Sequence, residues 1–521
     1  MASTFSAFHV ASRAMEASQA TINVTGNNIA NINTDGYSRQ RVDINSITSS
    51  GGVQKYANPK VSTGLGAKAV GTSQIRDPFL DARFRSQNAE TSRYQTMVSG
   101  LSDLESVLDE AQTDGLQNEL SNFITDLQSF SETPTSSDIA QVIRTSAQKV
   151  TQIINMYANQ IKEVRTQQVK DLGVVVENDF NAIVKSIANL NDQVQKEEIY
   201  GNTPNELYDQ RNLLIDKLSG IANIKVTTNP EKISENLSID RLSISLVDPN
   251  TGTSIGLVDN NLFNTLSVKD QDDKVVLSLN SSFTLAGSTP VDNNDITEFI
   301  SDGAIKGYVD LINGKGTFAD IVQGENDARG IPYYEKTMDV FAAKFADVFN
   351  RINSINDPLN STDPPTEPLF TNSDGTTTNI TAKDIQVSSA WLKDPMEIKT
   401  TNNPIGTPGS ADNVLRMISA MSKDQEFKKD SNALFFNGSF NEYLTGQLGD
   451  VAMDVGLNTN FADTADNVLQ NIYTARESVS GVSLNEEGTN LMAFQKVYNA
   501  AIRYFNVLDE NLNTIINTMG Q

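Results

Sequence analysis

Apolar side chains recur every seven residues at both ends of this chain. Near the N-terminus Phe8, Met15, Ile22 and Ile29 form one row, with Ala11, Ser18, Thr25 and Ile32 at the intervening positions. Near the C-terminus Leu491, Tyr498, Phe505, Leu512 and Met519 form one row, and Phe494, Ala501, Leu508 and Ile515 the other. Alternating steps of three and four describe helices with a seam that needs a partner helix. No proline interrupts residues 483–519, so the last helix runs about 55 Å at 1.5 Å per residue. Two such stripes favour pairing between the chain's own ends or between neighbouring subunits. The small N-terminal row makes its half of the pairing weak.

A second helical block carries Tyr94, Met97, Leu101, Leu104, Leu108 and Ala111, and then Ile143, Ala147, Val150, Ile154, Tyr157, Ile161 and Val164. The period stutters by four residues through Leu172, then resumes at Val176, Phe180, Ile183, Ile187, Leu190 and Val194. A stutter of this size unwinds a supercoil locally without breaking the helix. Pro134 and Pro204 bracket the block, and one rod of about 90 Å is predicted.

After Gly220 the texture changes. Ile224–Val226, Leu242–Val247, Ile255–Val258, Val275–Leu279 and Phe283–Leu285 are short β-prone runs. Turn clusters such as Asp248-Pro249-Asn250 and Asp292-Asn293-Asn294-Asp295 separate them, which reads as a small antiparallel β domain. Helical pattern returns at Tyr334–Arg351. A hairpin is predicted around Ile385–Ile398 and another helix from near Ala411. The fold class is therefore mainly α with an inserted β domain, built of long terminal helices, a helical-bundle body and a small antiparallel sheet. Three units are predicted: a terminal helical domain of residues 1–62 plus 482–521, a long-helix body of 63–225 plus 321–481, and the insert 226–320.

Composition narrows the function. Forty basic against 65 acidic residues leave a net charge of −25, which argues against nucleic acid or an anionic membrane as partner. There is no cysteine and one histidine, His9, so thiolate or His-rich metal sites are excluded and a Ser-His-Asp triad would have to use that residue. No apolar run reaches the length of a membrane span and the N-terminus lacks the pattern of a cleavable signal. Gly64-Leu65-Gly66-Ala67-Lys68-Ala69 fits a permissive dinucleotide fingerprint, but Val70-Gly71 after it cannot open a helix cleanly. Asp270, Asp272 and Asp273 begin like a calcium loop, but Val275 stands where that loop needs glycine. No catalytic, cofactor or metal residue is predicted.

The most informative word is Gly26 through Gln40, containing Asn31, Thr34, Gly36, Tyr37, Ser38, Arg39 and Gln40. Physically it is a helix leaving through Asn into a glycine turn and an extended segment. It resembles the N-terminal signature of the bacterial flagellar axial proteins, the family of rod, hook and hook-associated proteins. Ile75-Arg76-Asp77-Pro78-Phe79-Leu80 and Ser480 through Glu487 are similar to further family motifs. Pro204 through Arg211, with Asp209, Gln210 and Arg211, resembles a block of the hook-associated branch. Asp35 departs from the family, which commonly has proline there, and Gly488 and Thr489 loosen a helix start that is usually richer in alanine.

The resemblance implies a structural protein, not an enzyme, exported unfolded through the flagellar type III apparatus without a cleaved signal. It implies an extracellular place in the flagellum, as a ring of subunits continuing the axial lattice at the junction of hook and filament. The implied partners are further copies of the chain, flagellar hook protein, hook-associated protein 3, and an export chaperone on the C-terminal helix. Phe8, Met15, Ile22, Ile29, Leu491, Phe494, Tyr498, Ala501, Phe505, Leu508, Leu512 and Ile515 are the expected subunit and chaperone contacts. No cofactor, nucleic acid or membrane insertion is implied. Two alternatives stay open: a paralogous rod or hook protein, and a carbohydrate-cleaving activity in the insert.

Overall fold

The computed structural model describes residues 4–47, 64–113, 115–234, 237–248, 252–271, 274–285, 295–320, 322, 324–354, 365–401, 409–429 and 433–519. The 62/63 division, Pro249, Asn250, Asp272, Asp273, residues 292–294 and the side chains of Ala111 and Met519 lie outside that description.

The chain opens with α1 (Thr4–Ala30) and the antiparallel pair β1 (Gln40–Ser46) and β2 (Ala67–Gln74). The helices α2 (Pro78–Thr113), α3 (Leu116–Glu132), α4 (Ser137–Val174), α5 (Asn181–Ile199) and α6 (Asn205–Ile221) follow. Then come β3 (Ile224–Ser234), β4 (Leu237–Val247), β5 (Ser254–Asp259) and β6 (Leu262–Phe263), an antiparallel sheet in that order, and the hairpin β7 (Thr265–Gln271) and β8 (Lys274–Asn280). Next are α7 (Ala304–Asn313), α8 (Ile331–Asn353), the two-residue strands β9 (Phe370–Thr371) and β10 (Gln386–Val387), and α9 (Ser389–Lys393). The chain ends with α10 (Asp412–Ser422), β11 (Gln425–Lys428), β12 (Leu434–Gly438), α11 (Phe440–Ser480) and α12 (Leu484–Met519).

Two hydrophobic cores hold the body. The first joins α2, α3, the first half of α4, α8 and the start of α11, and is dense in aromatics: Phe123, Phe345, Phe349, Phe370, Trp391, Phe440 and Tyr443. The second joins Leu172, Val176, Phe180, Val184 and Ile187 to the sheet through Leu242, Ile244, Leu246 and Leu257, and to the hairpin through Leu277. The sheet therefore shares its core with helices instead of closing on itself.

Between the cores lies the stutter. Residues Val175–Phe180 form a π-helical turn that joins α4 to α5 without a break. Ile154 and Ile161 above it bury in the first core, and Val176, Phe180 and Val184 in the second. One extra residue in the turn rotates the apolar stripe, so the same rod faces two cores in succession. Just below, the Asn181 side chain accepts from Leu266 N and donates to Leu266 O, both at 2.8 Å, pinning β7 to the rod.

Three features depart from the sequence reading. Phe283–Leu285 is not a strand, and its side chains cover Gly256 in β5, where an added Cβ would come within 2.7 Å of Leu285. Ile385–Ile398 is not a hairpin; Trp391 sits on the short α9, capped by Ser388, and is fully buried. Helix α7 stands where only strands were read. It is buried on nearly every side; Ile305, Tyr308, Val309 and Ile312 do keep helical spacing, but over only ten residues directly after a series of β-prone runs. It approaches α2 at Gly100, where an added Cβ would overlap Leu311, and at Gly307, where one would meet the Arg93 carbonyl at 2.7 Å.

Candidate functional site

The two ends of the chain fold on each other. Helices α1 and α12 run antiparallel, with Asn28 donating to Glu487 at one end and Phe8 edge-on to Phe505 at the other, ring centroids 5.1 Å apart. The small row of α1 is the buried one: Ala11, Ser18 and Thr25. Phe8, Met15, Ile22 and Ile29 flank it half-buried, and Ile32 lies exposed in the turn beyond the helix. Small residues let the helix axes come close, and Ser18 avoids an unpaired hydroxyl by donating to Ala14 O. On α12, Ala501 is buried and Leu491, Phe494, Tyr498, Phe505, Leu508 and Leu512 are half-buried. Ile515 is exposed; the register of the pair exhausts α1 before that turn. The β1–β2 ribbon lies along α1, tied by Arg13 to Leu65 O at 2.8 Å and by the bare Gly66 against Val10.

Where this hairpin of helices meets the body, a polar joint forms. Asn28, buried in the last turns of α1, donates to Gln40 O and accepts from Gln40 N, closing the intervening turn. Tyr37 also donates to Asn28 Oδ1, at 2.9 Å. The turn needs Gly36 at φ +77°, where a side chain is strained and a Cβ would press on Leu213 of α6 at 3.2 Å. Arg39 then crosses to the other end of the chain. Its N–H donates to Ser480 O at 2.8 Å, and its guanidinium bonds Glu487 at 2.8 Å and Glu486 at 3.0 Å.

The same turn is tied to the body. Ser38 N donates to Asp209 Oδ2 at 3.2 Å, and Arg76 bonds the Ser38 hydroxyl while gripping both oxygens of Asp81. Arg476 of α11 bonds Asp216 at 2.6 Å and lies 4.1 Å over the Phe84 ring, and Arg85 bonds the other oxygen of Asp216 at 2.7 Å. Four arginines and their carboxylates thus lace α1, α2, α6, α11 and α12 together. Charge-assisted pairs of this kind fix geometry more than they add stability.

Burial shapes the electrostatics. It pushes the Asp209 carboxyl up to about 6, with hydrogen bonding from Ser38 and the charge of Arg76 offsetting it in part. Asp209 Oδ1 has no hydrogen-bond partner, and Arg76 stands 3.8 Å away. Tyr37 is pushed up to about 12 by burial, then by the charges of Asp209, Glu206 and Glu487. Burial would lower Arg76, but its bond to Asp81 and the charges of Asp81, Asp216 and Asp209 outweigh that and raise it.

The motif residues divide by role. Asn31 and Thr34 bond only within the turn, Asn31 to Asn27 and Thr34 to Asn31. Gln40 reaches Glu206 at 3.4 Å. Of Asp209, Gln210 and Arg211 only Asp209 enters the joint: Gln210 is exposed, and Arg211 faces α5, bonding Asn191 at 3.0 Å and stacking on Tyr208. Arg85, Asp216 and Arg476 belong to the joint but were not singled out in the sequence. A signal for one existed, since Asn205, Asp209 and Asp216 are polar positions on the buried face of one helix.

Among the described residues no cluster of three His, Cys, Asp or Glu side chains could hold a metal, and no helix is long and apolar enough to cross a membrane.

Comparison with known proteins places this geometry. The family model described as the flagellar hook-associated protein FlgK helical domain matches residues 101–370, and that of the flagella basal body rod protein matches residues 8–37. The chain is 29% identical over 537 residues to flagellar hook-associated protein 1 of Bacillus subtilis (strain 168), spanning 100% of this chain and 99% of the relative. It is 21% identical to the Salmonella typhimurium (strain LT2) protein of the same name, spanning 96% of this chain and 98% of that one. The solved structure of the flagellar hook junction protein FlgK from Burkholderia pseudomallei superposes with a TM-score of 0.55 at 12% identity, covering 77% of this chain and 100% of that one. At that identity the likeness is one of fold.

Proposed function

The chain belongs to the flagellar hook-associated protein FlgK family, and from that premise we propose that it is the structural protein joining hook to filament, assembled there as a ring of subunits. It acts by shape and contact, with no catalytic step. Its neighbours are further copies of itself, flagellar hook protein on one side and hook-associated protein 3 on the other. It reaches the outside of the cell by flagellar export without a cleaved signal, and an export chaperone covers α12 beforehand. Residues 1–62 with 482–521 form the axial part, 63–225 with 321–481 the body, and 226–320 an outward insert.

One observation carries the reading: the helices of both chain ends form a single pair, and Arg39 with the Asp209 and Asp216 clusters fixes that pair to the body. A junction between two mechanical elements needs such a joint, since load applied to the helices must reach the body without unfolding either. Half-buried Phe8, Met15, Ile22, Ile29, Leu491, Phe494, Tyr498, Phe505, Leu508 and Leu512 hold the pair and offer their outer edges to neighbours. A strain lacking the gene should carry bare hooks and shed flagellin into the medium. Filaments of normal length in that strain would overturn the reading.

A further inference from the structure

We propose that the cavity between α8, α10 and β11 is a binding site for a small amphiphilic carboxylate, one acid group on a hydrocarbon body, with Lys344 as the residue that receives the acid group. The site lies in the body and does not depend on the junction reading. The cavity measures about 500 Å³, within the range of small-molecule pockets. Its lining is apolar at Val348 and Ile352, both nearly fully buried, and at Leu415, which is 55% exposed. Lys344 of α8, Arg416 of α10 and Lys423 just beyond α10 line it as well.

The charges of this cavity are not balanced from within. Among the described residues neither Lys344 nor Lys423 makes a side-chain hydrogen bond or ion pair, and Arg416 bonds only the neutral Asn413, at 3.3 Å. Two acids of the lining are already engaged, Asp347 with Arg351 at 2.7 Å and Glu426 with Lys428 at 3.1 Å. That sets three cations against Asp412 and Asp424 at most. Of these five side chains Lys344 is half-buried and the other four are exposed. Burial pushes the Lys344 amine down from its ordinary value, with Lys428 and Arg351 adding to the effect and Asp347 and Glu426 opposing it. An anion at that depth restores the charged form, and the apolar lining favours one that carries hydrocarbon. The exposed acids repel a multiply charged ion, so a monocarboxylate matches the depth, the charge and the lining. The cavity of about 560 Å³ between β8, α7 and α8 offers no such opening, because Lys306, Lys315 and Lys336 are paired there with Asp310, Glu325 and Asp339.

Hexanoate titrated into the full chain and followed by saturation-transfer NMR tests the site. It should bind saturably, and at least tenfold more tightly than acetate, hexanol or inorganic phosphate. Lys344→Met should weaken hexanoate at least tenfold without lowering the urea midpoint, since the variant removes an unpaired half-buried charge. Binding of the anion favours the charged amine, so a proton is taken up and affinity falls as pH rises through the lowered value of Lys344, before the 10.5 of an ordinary lysine. Lys344→Arg should keep hexanoate binding and lose that pH dependence. Should Lys344→Met fold poorly, the exposed Lys423→Ser supplies the comparison, with a severalfold loss expected. No saturable binding to wild type, acetate binding as tightly as hexanoate, or unchanged hexanoate affinity in a folded Lys344→Met would each overturn the proposal.

Discussion

The terminal helix pair and the aromatic core of the body solve the same problem in opposite ways. In the body Phe123, Phe345, Phe349, Phe370, Phe440 and Trp391 are all fully buried, and ring centroids lie as close as 4.8 Å between Phe345 and Phe349. In the terminal pair most of the heptad side chains are only half-buried, and the one aromatic contact among the described residues, Phe8 with Phe505, stands at its outer end. The body is held by dispersion and desolvation, which need no help from outside. The pair is held at its inner end by charged hydrogen bonds and keeps apolar surface in reserve. A region meant to bind neighbours leaves its own burial incomplete.

The largest effect expected from this contrast is in the body. Phe345→Ala should cost about 3–5 kcal/mol, the range for emptying a buried aromatic site, and urea titration would show it as a lowered midpoint. A loss below about 1 kcal/mol would erase the distinction between the regions.

Cutting the joint should act locally. Arg39→Ala leaves Glu487 buried with only Asn28 for company. Breaking fully buried pairs costs about 3–5 kcal/mol, and since Arg39 keeps 22% of its exposure, about 2 kcal/mol is the expected figure here. Hydrogen exchange should quicken across α1 and α12 while the amides of α8 stay protected. Uniform acceleration through α8 would show that ends and body are one cooperative unit.

The smallest effect concerns Asp209. Its folded value of about 6 lies above the unfolded carboxylate value of 3.8, so the folded chain binds the extra proton between those limits. This group therefore opposes folding at pH 7, and the penalty is relieved as pH falls through 6 toward 4. Asp209→Asn, fixed in the neutral form, should gain about 1 kcal/mol at pH 7.5 and flatten the stability profile between pH 4 and 7. A variant less stable than wild type at pH 7.5 would mean that the Arg76 attraction outweighs burial.

The two regions also differ in how openly the sequence displays them. The terminal rows are legible because a seam exposed on one side must keep its period, and a four-residue slip reveals the π turn for the same reason. Helix α7 is hidden because it is short: its row Ile305, Tyr308, Val309 and Ile312 makes only about two turns and follows directly on β-prone runs. Helix α11 is hidden because Gly446, Gly449, Gly456 and many Asn, Asp and Thr dilute its stripe, although Ser439 and Glu442 announce its start as a capping box. The joint is the hardest case. Arg76, Asp209, Asp216 and Arg476 come from two helices, α6 and α11, and the strand exit before α2, and their common face exists only after folding. A family word could point to Asp209 but could not tell it from Arg211, two residues away and facing elsewhere.

The bond between Asn28 and Glu487 spans 459 positions, and this separation sets an order in time. Synthesis makes α1 first and α12 last, so the first helix waits through nearly the whole chain before its partner exists. Closing so long a loop is costly unless something shortens it. Here the body does so: once α2 and α11 lie side by side, Arg39 finds Ser480 and Glu487 only a turn away. The ends are thus the last part of the molecule to mature, and the step that completes them is the one that certifies that everything between has already folded.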